Sequence, residues 1–412
     1  MSHRDVIASA LQAAGIVYWL DPNGALRADR QLWLSAHLVR CQDFGGVPTV
    51  FVASGMEQPW NGVVDAVHWL AHDRSRYRAA WGRVQVAFHE SAPGTALDAA
   101  ATLAAAGNQR GGLVIELATY ALNRGGLTVR PLVRPAPDFG SLTKVDGWAR
   151  LLDKRSQTLN RAGIPQIGRD LIRELSTVVP AFRWYRNASE GGFSGRVGGL
   201  QCCRIEDGHS HISLVSGDRF EAHNLGSLVG VITAVARDRA NPQASIGTGK
   251  DEHLLESGVL RQAVPLNPLH AVFGRVALTP MAFNEPPLQL PALFGRRDRK
   301  RHVDALLRQG SVPWVVELKV ASGGQGQYYR HAIAQVVLYR EFVRSANALH
   351  PWFANHGLDA SRCEAAIAFP ELRGSNQVCA AIRSTLSDTA GSFLVGIHEL
   401  EPWSPLRVRC MT

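Results

Sequence analysis

No two of the six cysteines, Cys41, Cys202, Cys203, Cys363, Cys379 and Cys410, form a C-x2-C pair or stand at zinc-finger spacing. That excludes the common structural zinc modules, and adjacent Cys202 and Cys203 would face opposite sides of a strand. The cysteines read as buried thiols of a reducing compartment, so a cytoplasmic location is expected. No apolar run reaches the roughly 20 residues that a membrane-spanning helix requires, and no membrane partner is expected. The start of the chain, MSHRDVIASALQAAG, lacks the charged head, long apolar core and cleavage site of a secretory leader. No glycine-rich phosphate loop follows any strand-like run, and no internal repeat or low-complexity tract is visible.

What remains is a globular composition, 46% hydrophobic and 19% charged, in a chain of 412 residues. That length exceeds one ordinary core and predicts two or three domains. Forty-four Lys and Arg against 35 Asp and Glu give a formal charge of +9. Such a balance favours polyanionic partners, because each phosphate neutralised releases a condensed counterion. A basic surface kept for solubility is the other open reading.

The pattern divides the chain into three. Residues 1–135 predict an α/β domain suited to recognition or sensing. Its strand-like runs lie at 16–20 (IVYWL), 47–53 (VPTVFVA), 84–88 (VQVAF) and 113–117 (LVIEL), with helix-compatible stretches at 30–39 and 60–71. The proline-rich stretch 131–145 reads as the main linker. Residues 136–245 predict helices and a β-hairpin region, with glycine-broken strands over 193–217 and a helix over 224–239 capped by Asn224. Residues 246–412 carry the chemistry.

There, 301–307 (RHVDALL) and 314–320 (WVVELKV) are strand-like runs joined by a short segment containing Gln309, Gly310 and Ser311. An antiparallel hairpin follows, which brings Asp304 near Glu317, and the period of two puts Glu317 and Lys319 on one face. Two carboxylates are hard oxygen ligands for Mg2+ or Mn2+, with the Leu318 carbonyl able to complete the shell. Lys319 can then hold a water and offset charge on a phosphorane. A salt-bridged polar strand face is the structural alternative. The predicted helix 327–344 places His331, Gln335 and Tyr339 at a spacing of four, a stripe that either faces these strands or faces solvent.

The order of helix, strand with Asp304, strand with Glu317-Leu318-Lys319, helix with Gln335 and Tyr339, and strand resembles the PD-(D/E)XK, or restriction-endonuclease-like, nuclease superfamily. The resemblance covers about residues 250–370 and departs in having Val303 where the family name has Pro. It implies an αβββαβ core behind an N-terminal α/β domain. It also implies metal ligation by Asp304 and Glu317, a catalytic Lys319, and Gln335 and Tyr339 as active-site helix residues. Members often carry a Glu on the preceding helix. Glu256 is the candidate here, with a solvated acid as the alternative. The basic run Arg296, Arg297, Arg299, Lys300 and Arg301 would contact phosphates or form a solvated face. Tyr328, Tyr329 and Arg330 would stack on a base or touch the backbone, with core packing of one Tyr as the alternative, and His331 would join them in contacting nucleic acid. The expected function is a Mg2+-dependent nuclease, DNA favoured over RNA, in an anti-phage defence or restriction role. A homo-oligomer or partner protein would engage the N-terminal domain. The alternative is a catalytically silent nucleic-acid-binding or scaffolding protein.

Overall fold

A computed structural model describes residues 2–20, 37–77, 82–109, 111–123, 126–136, 163–180, 182–186, 192–197, 200–206, 208–214, 217–240, 255–256, 259, 266, 278–280, 303–319, 325–370, 372–373, 377–400 and 408–409. The chain is mixed α/β, and its three principal sheets fall in three successive segments. None of the helices among the described residues is long and apolar enough to cross a membrane.

The first segment opens with α1 (His3–Ala13), started by a capping box in which the Asp5 N–H donates to Ser2 Oγ and the Ser2 N–H to Asp5. Strands β1 (Tyr18–Trp19), β2 (Leu38–Phe44) and β3 (Val47–Val52) are antiparallel neighbours. Helix α2 (Asn61–Tyr77) leads to β4 (Arg83–His89), and α3 (Gly94–Asn108) leads to β5 (Val114–Asn123), both strands running parallel to β3. An antiparallel β6 (Gly126–Pro131) completes the six-stranded sheet. The β3 run VPTVFV is buried throughout, as a strand covered on both faces must be. The predicted helix over 30–39 is corrected at its end. Leu38 and Val39 belong to β2, because Gly45 and Gly46, both at positive φ, turn the chain so that Leu38 to Phe44 pair with β3.

The middle segment holds α4 (Gln166–Leu175), a five-stranded antiparallel meander and α5 (Leu225–Ala240). The meander comprises β7 (Phe182–Arg186), β8 (Phe193–Val197), β9 (Leu200–Ile205), β10 (Ile212–Leu214) and β11 (Arg219–Phe220). Both helices pack with it around Trp184, in a hydrophobic cluster of its own. The expected cap at Asn224 takes another form. Asn224 ends a 3-10 turn and its side chain accepts the Glu221 N–H at 2.8 Å.

In the last segment, Leu255, Glu256 and Val259 are helical. Strands β12 (Thr279–Pro280), β13 (Ala305–Gln309) and β14 (Val312–Leu318) are antiparallel neighbours. Helix α6 (Gln325–Ser345) and the short α7 (His350–Asn355) precede β15 (Glu364–Pro370), parallel to β14. After β16 (Leu372–Arg373), α8 (Gln377–Ser392) leads to β17 (Val395–Leu400), parallel to β15, and β18 (Val408–Arg409) pairs with β16. Helix, three antiparallel strands, helix, parallel strand, helix, parallel strand is therefore an order common to the first and last segments, with β6 additional in the first and α7, β16 and β18 additional in the last. The two segments share this order although no repeat is visible in the sequence.

These two units are not buried separately. One continuous core joins Val63, Val67 and Leu103 of the first to Ile333, Val337, Leu386 and Phe393 of the last. Helices α2 and α3 of one layer pack on α6 and α8 of the other. The alanine-rich α3 allows close approach, and Gly107 marks its limit. A Cβ there would lie 2.4 Å from Ile115 Cδ1 and 3.1 Å from the Phe393 ring. Gly107→Ala, which in an open helix gains up to about 1 kcal/mol, is expected to lose roughly 1–3 kcal/mol by overpacking. A chemical denaturation curve measures the sign.

Candidate active site

The β13–β14 hairpin forms as its sequence predicts. Gln309 pairs with Val312 across Gly310, which adopts φ 59°, and Ala305 pairs with Val316. Asp304 immediately precedes β13 and its Oδ2 accepts the Leu318 N–H at 2.8 Å, so the carboxylate is anchored across the hairpin. Lys319 Nζ lies 2.5 Å from Glu317 Oε1 and 3.9 Å from Asp304 Oδ2. The structure thus brings Asp304, Glu317 and Lys319 together around one ammonium group. Their side chains are 14%, 2% and 9% exposed, which keeps water scarce and the interactions among them strong.

Residues on paired strands alternate between two faces. Val316 and Leu318 enter the core with Trp314 and Leu255, whereas Glu317 shares the opposite face with Ile367 and Ile397, beneath α6. Lys319 continues on that face. Its N–H donates to the Ala368 carbonyl, setting it beside Phe369, on which Tyr329 of α6 stacks at 4.7 Å. Beyond Phe369, Glu399 lies on the same face and receives two hydrogen bonds from Arg383 of α8. This third acid was not singled out from the sequence.

Hard oxygen donors from two carboxylates suit Mg2+ or Mn2+, which is commonly held by one or two carboxylates and keeps several waters. The Asp304 and Glu317 pair fits that requirement, with Leu318 between Glu317 and Lys319 on the same strand. No group of three or more His, Cys, Asp and Glu side chains able to hold a metal occurs among the described residues. A cation here would therefore complete its shell with backbone oxygen and water.

The polar stripe on α6 turns another way. Tyr329 marks the sheet-facing side, and at about 100° per residue His331 lies roughly 200° round the helix from it. Accordingly His331 Nε2 meets Asp65 Oδ2 of α2 at 3.2 Å. Gln335, one turn on, is partly buried, and Tyr339 is buried in the shared core. The expectation that His331 faces the strands is thus corrected. Arg330 is corrected as well. It is 0% exposed, and its Nε donates to Asp65 Oδ1 at 2.9 Å, so it is closed to a nucleic-acid phosphate. Tyr328 lies in α6 with its side chain outside the described residues, as do Arg296, Arg297, Arg299, Lys300 and Arg301 entirely. Glu256 is helical and partly buried, next to Leu255, which packs with Val259, Trp314 and Leu318 on the far side of the sheet.

On that far side, His398 of β17 lies in the row of Leu318 and Ala368 and is 1% exposed. Burial pushes its pKa down to about 4, against a hydrogen bond to the Leu266 backbone that acts the other way. Because the folded pKa is below the unfolded one, the unfolded chain takes up the proton first. This residue is expected to cost stability as pH falls from about 6.5 to about 4, up to about 3 kcal/mol. The difference between wild-type and His398→Gln stability measured across that window checks it, a constant difference being the contrary result.

No protein-family model, curated protein or solved structure matches this chain.

Proposed function

We propose that the chain is a metal-dependent nuclease that hydrolyses phosphodiester bonds, with DNA the favoured substrate. The observation that carries this reading is the convergence of Asp304, Glu317 and Lys319 at the end of one hairpin, with both carboxylates within 4 Å of the Lys319 ammonium. The order of strands and helices around the hairpin, with β13 and β14 antiparallel and β15 parallel across α6, is that expected of the resemblance to PD-(D/E)XK nucleases.

Asp304 and Glu317 would hold the divalent cation, Mg2+ or Mn2+, assisted by the Leu318 carbonyl. When bound, the cation supplies the charge that polarises the phosphate and stabilises the leaving oxygen. Lys319 holds the attacking water and balances the negative charge that grows on phosphorus. The Leu318 N–H keeps Asp304 in place throughout. A role in anti-phage defence or restriction is the biological setting we favour.

The test is incubation of the purified chain with supercoiled plasmid, linear duplex, single-stranded DNA and RNA in Mg2+, Mn2+ or EDTA, beside Lys319→Ala and Asp304→Ala. Metal-dependent cutting lost in both variants is the expected result. Nucleic-acid binding with no cutting in either metal would favour a silent binding protein instead.

A further inference from the structure

We propose that the chain is an internal pair of one fold in which the second unit carries the catalytic centre and the first lacks it at the equivalent positions, so that a single molecule nicks one strand of a duplex. The inference rests on the nuclease reading above and extends it to the form of the product.

Both units contain helix, β–β–β antiparallel, helix, β parallel, helix, β parallel, to which the first adds the antiparallel β6, and in both sheets these strands are spatial neighbours in chain order. The crossover helices cover equivalent faces. In β4, Val84, Val86 and Phe88 point into the shared core, and in β15 Ala365, Ile367 and Phe369 do so at the same second, fourth and sixth positions. This parity aligns the units residue by residue. Glu317 pairs with Ile367, and its counterpart Val50 pairs with Val86. Lys319 stands beside Phe369, and its counterpart Val52 pairs with Phe88. Asp304 is opposite Glu317 in the hairpin, since Ala305 pairs with Val316, and the residue opposite Val50 is Arg40.

Where the second unit has two carboxylates and a lysine, the first therefore has two buried valines and an arginine whose guanidinium lies over the Trp69 ring at 5.9 Å. Neither valine offers an oxygen ligand, and a guanidinium repels a divalent cation. At these positions the first unit keeps the scaffold without the groups that cleavage needs.

The contacts between the units have the pattern of a two-fold pair. Helix α2 meets its counterpart α6, while α2 also meets α8, and α3 meets α6. The helical face that would join two identical nuclease units is thus filled by the silent one. Cutting both antiparallel strands of a duplex in one encounter needs two centres, whereas the described residues present one. The single event adds the oxygen of one water to phosphorus and breaks one bridging P–O bond, and the leaving oxygen takes up a proton.

The test follows supercoiled plasmid with time over a series of protein concentrations in Mn2+, with Mn2+ uptake per chain measured in parallel, for wild type and Asp304→Asn. We expect open circles to accumulate first, linear DNA to arise only from later independent nicks, and Asp304→Asn to lose both the nicking and the Mn2+ uptake. Linear product formed without an open-circle intermediate, at a rate proportional to protein concentration, would overturn the single-centre inference while leaving the nuclease reading intact. So would an Asp304→Asn protein that keeps about half the cutting or half the uptake. No cleavage of any nucleic acid overturns the nuclease reading and this inference with it.

Discussion

Replacing Asp304 by Asn is expected to reduce phosphodiester cleavage by about a thousandfold, equivalent to about 4 kcal/mol of transition-state stabilisation, while leaving the fold intact. The two halves of that expectation come from different atoms. Asp304 Oδ2 accepts the Leu318 N–H at 2.8 Å, and an Asn side chain retains a carbonyl oxygen able to accept the same bond. What Asn removes is the negative charge that, with Glu317, would hold the cation. Asp304→Ala removes both, and stranding the Leu318 N–H adds a stability cost of roughly 1–3 kcal/mol. Initial rates on plasmid DNA, set beside thermal melts with and without Mn2+, separate these effects. In the expected outcome the metal-free melting temperature is almost unchanged in Asp304→Asn, and the upward shift on adding Mn2+ disappears. A variant that cuts at the wild-type rate would remove Asp304 from the mechanism.

Local sequence made the hairpin legible and left its surroundings hidden. Val, Ile, Leu and Phe runs mark β3, β4, β14 and β15 because strands covered on both faces contain little else. A charged pair spaced by two within such a run, Glu317 and Lys319, stands out for the same reason. Strand β2 was harder to see, since Arg40, Gln42 and Asp43 interrupt its apolar residues and only the pairing with β3 makes it extended. The repeat was invisible because a core asks for apolar volume and pattern, which many sequences meet equally well. At the positions where the second unit is most distinctive, the first carries Arg40, Val50 and Val52. Arg330 and His331 misled for another reason. Charged residues near a helix start usually face water, and the group that draws these two inward, Asp65, is 265 residues away from Arg330 in sequence.

That distant partner leads to the second large effect. Asp65→Ala is expected to destabilise the chain by about 3–5 kcal/mol, because it removes the carboxylate from a fully buried ion pair. Burial by itself would raise the Asp65 pKa. The charges of Arg330 and His331 and the hydrogen bonds they make outweigh it and hold the carboxyl well below the usual range. The contribution is therefore present above about pH 4, the ordinary carboxyl value, and is lost as pH falls through the depressed one. Because Asp65 lies on α2 and Arg330 on α6, within the core shared by the two units, the loss is expected to lower one common unfolding transition of both rather than to loosen the first alone. Replacing both members by apolar residues of similar volume, Asp65→Leu with Arg330→Met, should cost less than Asp65→Ala, since no buried guanidinium then loses its carboxylate. Denaturant unfolding followed by tryptophan fluorescence measures both. The middle unit's Trp184 reports on its separate core, so a change confined to its signal would count against this assignment. A double variant less stable than Asp65→Ala would show instead that the charges, and not only the packing, hold the two units together.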